Sequence, residues 1–568
     1  MDRKQTLSWF WLLPMVLIIS SYSRVQAQMP PVQVPFPQDV QPFPTPIPSP
    51  ELPQPLPPPE QLLQPMPVSP PENIPGAPQT INVERFEVVG STVFSAEQLA
   101  LVLTPFTNRP ISFAELIQAR SRITQLYFDN GYITSGAYIA TQTLLGKVVT
   151  ITVLEGGLEN IQVTGTKYLN SNYVRRRLEI ATKSPLNRDR LLQALQLLQL
   201  NPLISNISAE LSAGTRPGQS ILEVQVTEAQ STKLQATIDN GRSPAVGSFR
   251  RNIQLNEGNL LGIGDRLSFA YTNTDGSNAI DTSYSLPINP RNGTLNFGYG
   301  TTSSSIIEPP FDLLNIKSEA RYYDLTLRQP IIQTPSQEFT LGVSASRLES
   351  ETSLLDEPFP LSLGADEQGR TRISAVRFFQ EWTLRDTRQV IAARSQFNLG
   401  VGLDATINQE RPDSRFFSWQ GQAQWLRLLA PETLLLLRGN VQLSTTSILP
   451  LEQFSLGGLQ SVRGYRQDLL LTDNGAFASL EVRLPVLRVA DWNGVLQVAP
   501  FVDLGSTWNI GRASPERNTL ASVGLGLIWQ SDRLTTRLDY GIPLISVSST
   551  DRTWQENGLY FSVFYNPF

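Results

Sequence analysis

Histidine and cysteine, the side chains behind most nucleophilic, thiol and zinc chemistry, are both absent from the 568 residues. A Ser-His-Asp or Cys-His nucleophile, a thiolate redox centre and a zinc site of ordinary ligands are thereby excluded. The chemistry-bearing residues that remain are carboxylates and guanidinium groups. They recur on many segments, and no constellation of them stands apart as an acid–base pair. No glycine-rich phosphate cradle suggests nucleotide use. The expectation is no catalytic residue, no metal, no cofactor and no enzyme. With 45 basic against 50 acidic side chains and a net charge of −5, the chain also has no positive field with which to capture nucleic acid.

The charged residues sit in a strand pattern. Over the last 340 or so residues, segments of about ten alternate in polarity between Gly, Asn, Asp and Pro punctuation. Ala476, Ala478, Leu480, Val482 and Leu484 form one face, and Ser479, Glu481 and Arg483 the other. Ala521, Val523, Leu525, Leu527 and Trp529 oppose Ser522, Gly524 and Gly526, and Leu534, Leu538, Tyr540 and Ile542 oppose Arg533, Thr535, Arg537 and Asp539. A soluble sandwich alternates in the same way, but so many strands would need an implausibly large single core. A transmembrane barrel needs none. Candidate strands begin near residues 233, 249, 265, 280, 293, 319, 337, 371, 393, 416, 432, 475, 495, 519, 533 and 558. These sixteen starts make an even number, as closure with both ends on one side requires. Such a barrel leaves an aqueous lumen unless loops fill it.

The N-terminal part has a different texture. Arg3 and Lys4, an apolar core over residues 7–19 and Val25-Gln26-Ala27 before Gln28 read as a secretory signal cleaved between Ala27 and Gln28. Residues 28–80 form a proline-rich tether, with 20 of the chain's 43 prolines between residues 29 and 78. Each ring fixes φ and removes a donor, which implies a stiff, extended spacer without a core. Two small α/β units follow, at residues 81–155 and 156–228, each with the order β-α-α-β-β. Capping-box signatures at Ser95-Ala96-Glu97-Gln98 and Ser112-Phe113-Ala114-Glu115 open the helices of the first. Arg175-Arg176-Arg177 reads as a solvated helix face.

The tandem units resemble POTRA domains. Residues 113–155, with Gly146-Lys147-Val148-Val149-Thr150-Ile151-Thr152-Val153-Leu154-Glu155-Gly156 at their end, look like the first POTRA of two-partner secretion transporters. Leu200-Asn201-Pro202 and Gly214-Thr215-Arg216-Pro217-Gly218 look like that family's second. Asn259-Leu260-Leu261-Gly262-Ile263-Gly264-Asp265 resembles its early barrel hairpin. Between the eleventh and twelfth strands, Val462-Arg463-Gly464-Tyr465 matches the sixth-loop signature of the outer-membrane translocase superfamily, which includes two-partner secretion and barrel-assembly proteins. In that superfamily the loop folds back into the lumen, and its Arg meets an acidic residue in a Phe-x-Asp-x-Gly strand motif. Phe501-Val502-Asp503-Leu504-Gly505 supplies it here, with Phe501, Asp503 and Gly505 at the motif positions. Alternation independently turns Asp503 to the lumen, because Leu496, Val498, Val502 and Leu504 form the lipid-suited set. An Arg463–Asp503 ion pair follows. The C-terminal strand, carrying Phe561 and Tyr565 and ending at Phe568, looks like the assembly signal of outer-membrane barrels, although Pro567 breaks its alternation.

The resemblance spans residues 81–568, and two POTRA units point to the ShlB/FhaC/HecB haemolysin secretion and activation type. It implies two POTRA domains followed by a 16-stranded antiparallel barrel at residues 229–568, in the outer membrane with the POTRA domains in the periplasm. The implied partners are an unfolded exoprotein taken from the periplasmic side, outer-membrane lipid, and the barrel-assembly machinery for the chain's own insertion. Several family members carry an N-terminal helix that plugs the lumen; residues 29–78 are too proline-rich for one, and Glu60-Gln61-Leu62-Leu63-Gln64 is a poor substitute. A barrel-assembly factor would carry the same loop motif, and a plain solute channel is a third alternative.

Overall fold

A computed structural model of the protein describes residues 59–64, 80–142, 147–547 and 553–567. Ala27, Gln28, the rest of the expected signal and Phe568 lie outside the described residues. The first α/β unit comprises β1 (Arg85–Val89), α1 (Ala96–Leu103), α2 (Phe113–Asp129), β2 (Gly136–Tyr138) and β3 (Val148–Leu154). The second comprises β4 (Gly157–Thr164), α3 (Ser171–Ala181), α4 (Arg188–Gln199), β5 (Ile204–Ala213) and β6 (Gln219–Glu228). In each unit the last strand is central, parallel to the first and antiparallel to the one before it. Ser95 and Ser112 close reciprocal capping boxes with Gln98 and Glu115, which explains where α1 and α2 start.

One device recurs in both units. Glu155, just past β3, accepts the Thr92 N–H at 2.7 Å, the Val93 N–H at 3.1 Å and the Tyr127 hydroxyl at 2.8 Å. Glu228, at the end of β6, accepts the N–H groups of Lys167, Tyr168 and Leu169 at 2.6, 3.0 and 2.9 Å. A carboxylate thus ties the loop entering the first helix to the end of the last strand. Burial alone pushes the Glu155 carboxyl up, but hydrogen bonds from Thr92, Tyr127 and Val93 outweigh it and hold the group below the usual carboxylate range.

Two sequence expectations fail here because they ignore long-range contacts. Residues 59–64, placed in a tether without a core, form a helical turn (Pro59–Leu62) and a short strand (Leu63–Gln64) parallel to β5. Leu62 and Leu63 are buried among Leu191, Leu195, Ile207 and Ala209. The arginine run is not wholly solvated either. Arg176 is exposed, but Arg177 is half-buried: its guanidinium lies 3.4 Å over the Tyr173 ring and donates to Asn292 of a barrel turn at 2.9 Å.

The barrel opens with β7 (Thr232–Asp239), β8 (Arg250–Glu257), β9 (Arg266–Asn273), β10 (Ser277–Pro287), β11 (Thr294–Ser305) and β12 (Lys317–Gln333). It continues with β13 (Gln337–Leu354), β14 (Arg370–Arg385), β15 (Gln389–Val401), β16 (Phe417–Ala430) and β17 (Thr433–Ser444). It ends with β18 (Asn474–Val489), β19 (Gly494–Trp508), β20 (Thr519–Gln530), β21 (Leu534–Pro543) and β22 (Leu559–Tyr565). Neighbours pair antiparallel, and β7 joins β22 from Ala236↔Tyr565 to Asp239↔Ser562, closing a 16-strand barrel among the described residues. A two-residue strand, Glu357–Pro358, adds to the outer end of β13. Leu480, Val502, Leu504, Leu525, Leu527, Leu538 and Tyr540 are exposed on the outside, as an apolar lipid face requires, while Glu481, Asp503 and Asp539 are buried inside. The second α/β unit seats on the barrel's inner turns. Asn170 donates to Gly262 O at 2.7 Å, and the Tyr173 ring covers Gly264, where a Cβ would come within 2.2 Å of it.

Candidate functional site

The connection over residues 445–473, between β17 and β18, dips into the lumen. Its stem is a short antiparallel hairpin, Phe454–Leu456 with Leu470–Thr472. Gly457, Gly458 and Gly464 take φ of +110°, +102° and +98°, a region where any Cβ is strained, which lets the tip fold tightly. Val462 is fully buried with Phe454, Leu456, Leu470, Phe477 and Leu520, so an apolar cluster holds the loop from within the barrel.

At the tip Arg463 is 1% exposed. Its Nε donates to Asp503 Oδ2 at 2.8 Å and its Nη2 to Oδ1 at 3.0 Å, while its own backbone N–H reaches Oδ2 at 3.1 Å. Nη1 pairs with Glu481 Oε2 at 2.8 Å and lies 3.6 Å from Asp539 Oδ1. The guanidinium stacks 3.4 Å over the Phe501 ring. Gly505 leaves room for Leu456, whose Cδ1 would stand 2.5 Å from a Cβ placed there. The three motif positions on β19 therefore share one lumen face with separate tasks: Phe501 stacks, Asp503 accepts and Gly505 yields space.

Tyr465 anchors the next residue, its hydroxyl 2.8 Å from Ala521 O and 2.9 Å from Ile545 O. Gly464 donates to the Tyr560 hydroxyl at 3.1 Å, and that hydroxyl donates in turn to Tyr465 O. Gly464 also lies against Gly541 of β21, where a Cβ would come within 2.7 Å of Gly464 N. Phe561 and Tyr565 are not part of this cluster. Both lie on β22, in register with Leu538 and Leu534 of β21, and Tyr565 also pairs with Ala236 at the seam.

Sequence reasoning missed Glu481, Asp539, Arg537 and Tyr560 as members of the site. Arg537 bonds Glu481 at 2.6 Å and Asp539 at 2.8 Å, and Arg483 bonds Glu481 at 2.8 Å. Three arginines, Arg463, Arg483 and Arg537, pair with the three carboxylates, with Arg438 of β17 beside them on Ser479, and these opposed charges let the cluster stay ionised away from bulk water. A carboxylate in mid-strand on the lumen face was the signal that could have found Glu481 and Asp539. Further ties hold the loop, among them Arg377–Glu452 near the stem and Arg466 with Glu308 at 2.6 Å beyond the tip.

Comparison with known proteins agrees with this architecture. A family profile described as haemolysin secretion/activation protein ShlB/FhaC/HecB matches residues 218–528, and a ShlB-type POTRA profile matches residues 81–156. The outer membrane transporter CdiB of Dickeya dadantii (strain 3937) is 22% identical over 472 residues, covering 80% of this chain and 81% of that protein. The heme/hemopexin transporter protein HuxB of Haemophilus influenzae (strain 86-028NP) is 21% identical over 464 residues, covering 76% and 77%. Among solved structures, CdiB from Escherichia coli shares the fold with a TM-score of 0.66 at 20% identity, over 88% of this chain and 93% of that one. BamA from Haemophilus ducreyi lacking POTRA domains 1–3 does so with a TM-score of 0.53 at 14% identity, over 86% and 100%. The chain belongs to the ShlB/FhaC/HecB family of secretion transporters, with its barrel in the outer membrane and its POTRA domains in the periplasm.

Proposed function

We propose that this translocator captures one exported, unfolded exoprotein with its POTRA pair and passes it outward past the Arg463 loop, which closes the lumen at rest. The observation that carries the reading is the loop itself, a segment folded into the lumen and held there by a buried ion cluster. Capture uses the edges of the POTRA sheets, where an extended segment adds a strand through main-chain hydrogen bonds. Folding of the exoprotein outside supplies direction, in keeping with a chain that offers no nucleotide-binding motif and acts as a conduit without enzymatic activity. The apolar outer face meets lipid. The strand bearing Phe561 and Tyr565 presents the chain to the barrel-assembly machinery for its own insertion.

The test is release of a co-expressed candidate exoprotein into the medium, comparing the parent with Arg463→Ala at matched outer-membrane levels. Release that depends on the transporter and falls in the variant is the expected result. Unchanged release, with other barrel proteins lost from the membrane when the transporter is depleted, would replace secretion by the barrel-assembly reading.

A further inference from the structure

The lumen wall differs from sector to sector. One sector carries the Arg463 cluster on β18, β19 and β21, and another carries Arg328, Glu338, Glu381 and Arg394 on β12 to β15. Between them the wall is mostly amide, with Arg438 of β17 the charged group beside it. β15 presents Gln396 and Asn398, β16 presents Gln420, Gln422 and Gln424 at alternate positions, and β17 presents Gln442. The amides are joined edge to edge: Gln396 donates to Asn398 at 2.7 Å, and Gln420 to Gln442 at 2.6 Å. Gln442 donates onward to main-chain carbonyls of the lumen loop, Glu452 O at 2.9 Å and Asp473 O at 3.1 Å. A cavity of about 250 Å³ separates the rest of this wall from the loop, and Gln422 and Gln424 line it. The Gln422 Oε1 is buried there without a hydrogen-bond partner.

The wall thus already holds main-chain carbonyls, and the backbone they belong to is the loop's own. We infer that the amide sector of β15 to β17 is the contact track for the main chain of the translocating polypeptide, a site that the resting loop partly occupies. This rests on the secretory reading above. The spacing suits the task. Alternate residues of a strand stand roughly 6.8 Å apart, which is also the same-face repeat of an extended peptide. Each amide both donates and accepts, so it matches N–H and C=O groups whatever side chains pass. The amides themselves carry no charge, so they hold no acidic or basic stretch of cargo tightly, and passage needs sites weak enough to leave; Arg438 lines the same cavity beside them. A second run of lumen amides, Asn252 and Gln254 on β8, bonds to Thr272 and Ser268 of its own wall and so serves as a comparison.

The test uses the full-length protein in liposomes with the photo-crosslinking residue p-benzoylphenylalanine replacing Gln422 or, separately, Gln254. The probe is a biotinylated, uncharged 30-residue Gly/Ser peptide supplied on the POTRA side. Adducts in excess at position 422 are expected. Gln424→Leu should cut that yield about fivefold, while Gln424→Asn keeps it. Equal or greater adduct at position 254, or a yield indifferent to Gln424→Leu, overturns the track and leaves secretion standing. No adduct at either position overturns both.

Discussion

Removing the Arg463 side chain should free the loop tip, and the geometry sets the scale. Arg463→Ala deletes the paired bonds to Asp503, the bond to Glu481 and the stack on Phe501, and leaves Asp503 without its ion-pair partner in a site shielded from water. A unit pair 4 Å apart is worth about 4 kcal/mol at an effective dielectric of 20. Breaking a buried pair from one side costs roughly 3–5 kcal/mol, because the stranded charge remains. The population with the tip displaced should accordingly rise by roughly two to four orders of magnitude. The chain has no cysteine of its own, so a single reporter can be read cleanly. Val462→Cys places a thiol at a fully buried position beside the arginine, and its labelling by a maleimide in outer-membrane vesicles tracks tip exposure. Labelling should accelerate at least about a hundredfold when Arg463→Ala is added. Combining Arg463→Met with Asp503→Asn removes both charges and should recover a substantial part of the protection. A rate within about twofold of the reporter alone after Arg463→Ala would refute the view that the ion cluster holds the loop.

Three further outcomes follow from other contacts. Gly541→Ala puts a methyl 2.7 Å from Gly464 N, so it should expose the same reporter without altering any charge, whereas protection equal to the parent's would mean that the tip does not rest on β21 as described. Glu155→Gln should destabilise the first POTRA domain by about 1–2 kcal/mol at neutral pH, read as faster amide exchange at Thr92 and Val93 in the full chain. Because the Glu155 carboxyl is held below its unfolded value, its contribution is present above the unfolded pKa and fades as pH falls through the folded one; a difference between the two proteins that grows on acidification would contradict this. Leu62→Asp should detach residues 59–64 from β5 at a cost of about 2–3 kcal/mol, seen as faster cleavage after Glu60 by a glutamate-specific protease, and unchanged cleavage would count against the docking.

Much of the barrel was legible because its two physical requirements repeat. Lipid outside and water inside impose period two on every strand, and sixteen repetitions turn a weak signal into a firm one. Expected and observed strand starts accordingly lie close together, as with Gln337 for β13 and Thr519 for β20, where they coincide. The same alternation put Asp503 inside. It could not tell which other lumen carboxylates would meet Arg463, because Glu481 and Asp539 reach it across strands whose register no local pattern encodes. Phe477 reads as a misplaced apolar residue on a polar face until the loop packs on it. Leu62 and Arg177 failed to declare themselves for the same reason, since the core that takes up Leu62 and the barrel turn that Arg177 reaches are more than a hundred residues away. Local patterns specify elements; burial of a short segment against a distant surface is a property of the folded whole.

The joints between the POTRA domains and the barrel contain almost no slack. Glu155 closes the first domain, Gly157 already belongs to β4, and Gly156 between them is clamped, its N–H held by the Ser135 hydroxyl and its carbonyl by Leu186 N–H. Only residues 229–231 separate β6 from β7, and they are pinned by Ala229 N–H on Leu203 O and Gly258 N–H on Ser231 O. Chain pulled at the outer POTRA domain therefore cannot be absorbed by a flexible tether. The second domain instead bears directly on the inner rim of the barrel, at Gly262, Gly264 and Asn292, so the two share one continuous contact with no free chain between them.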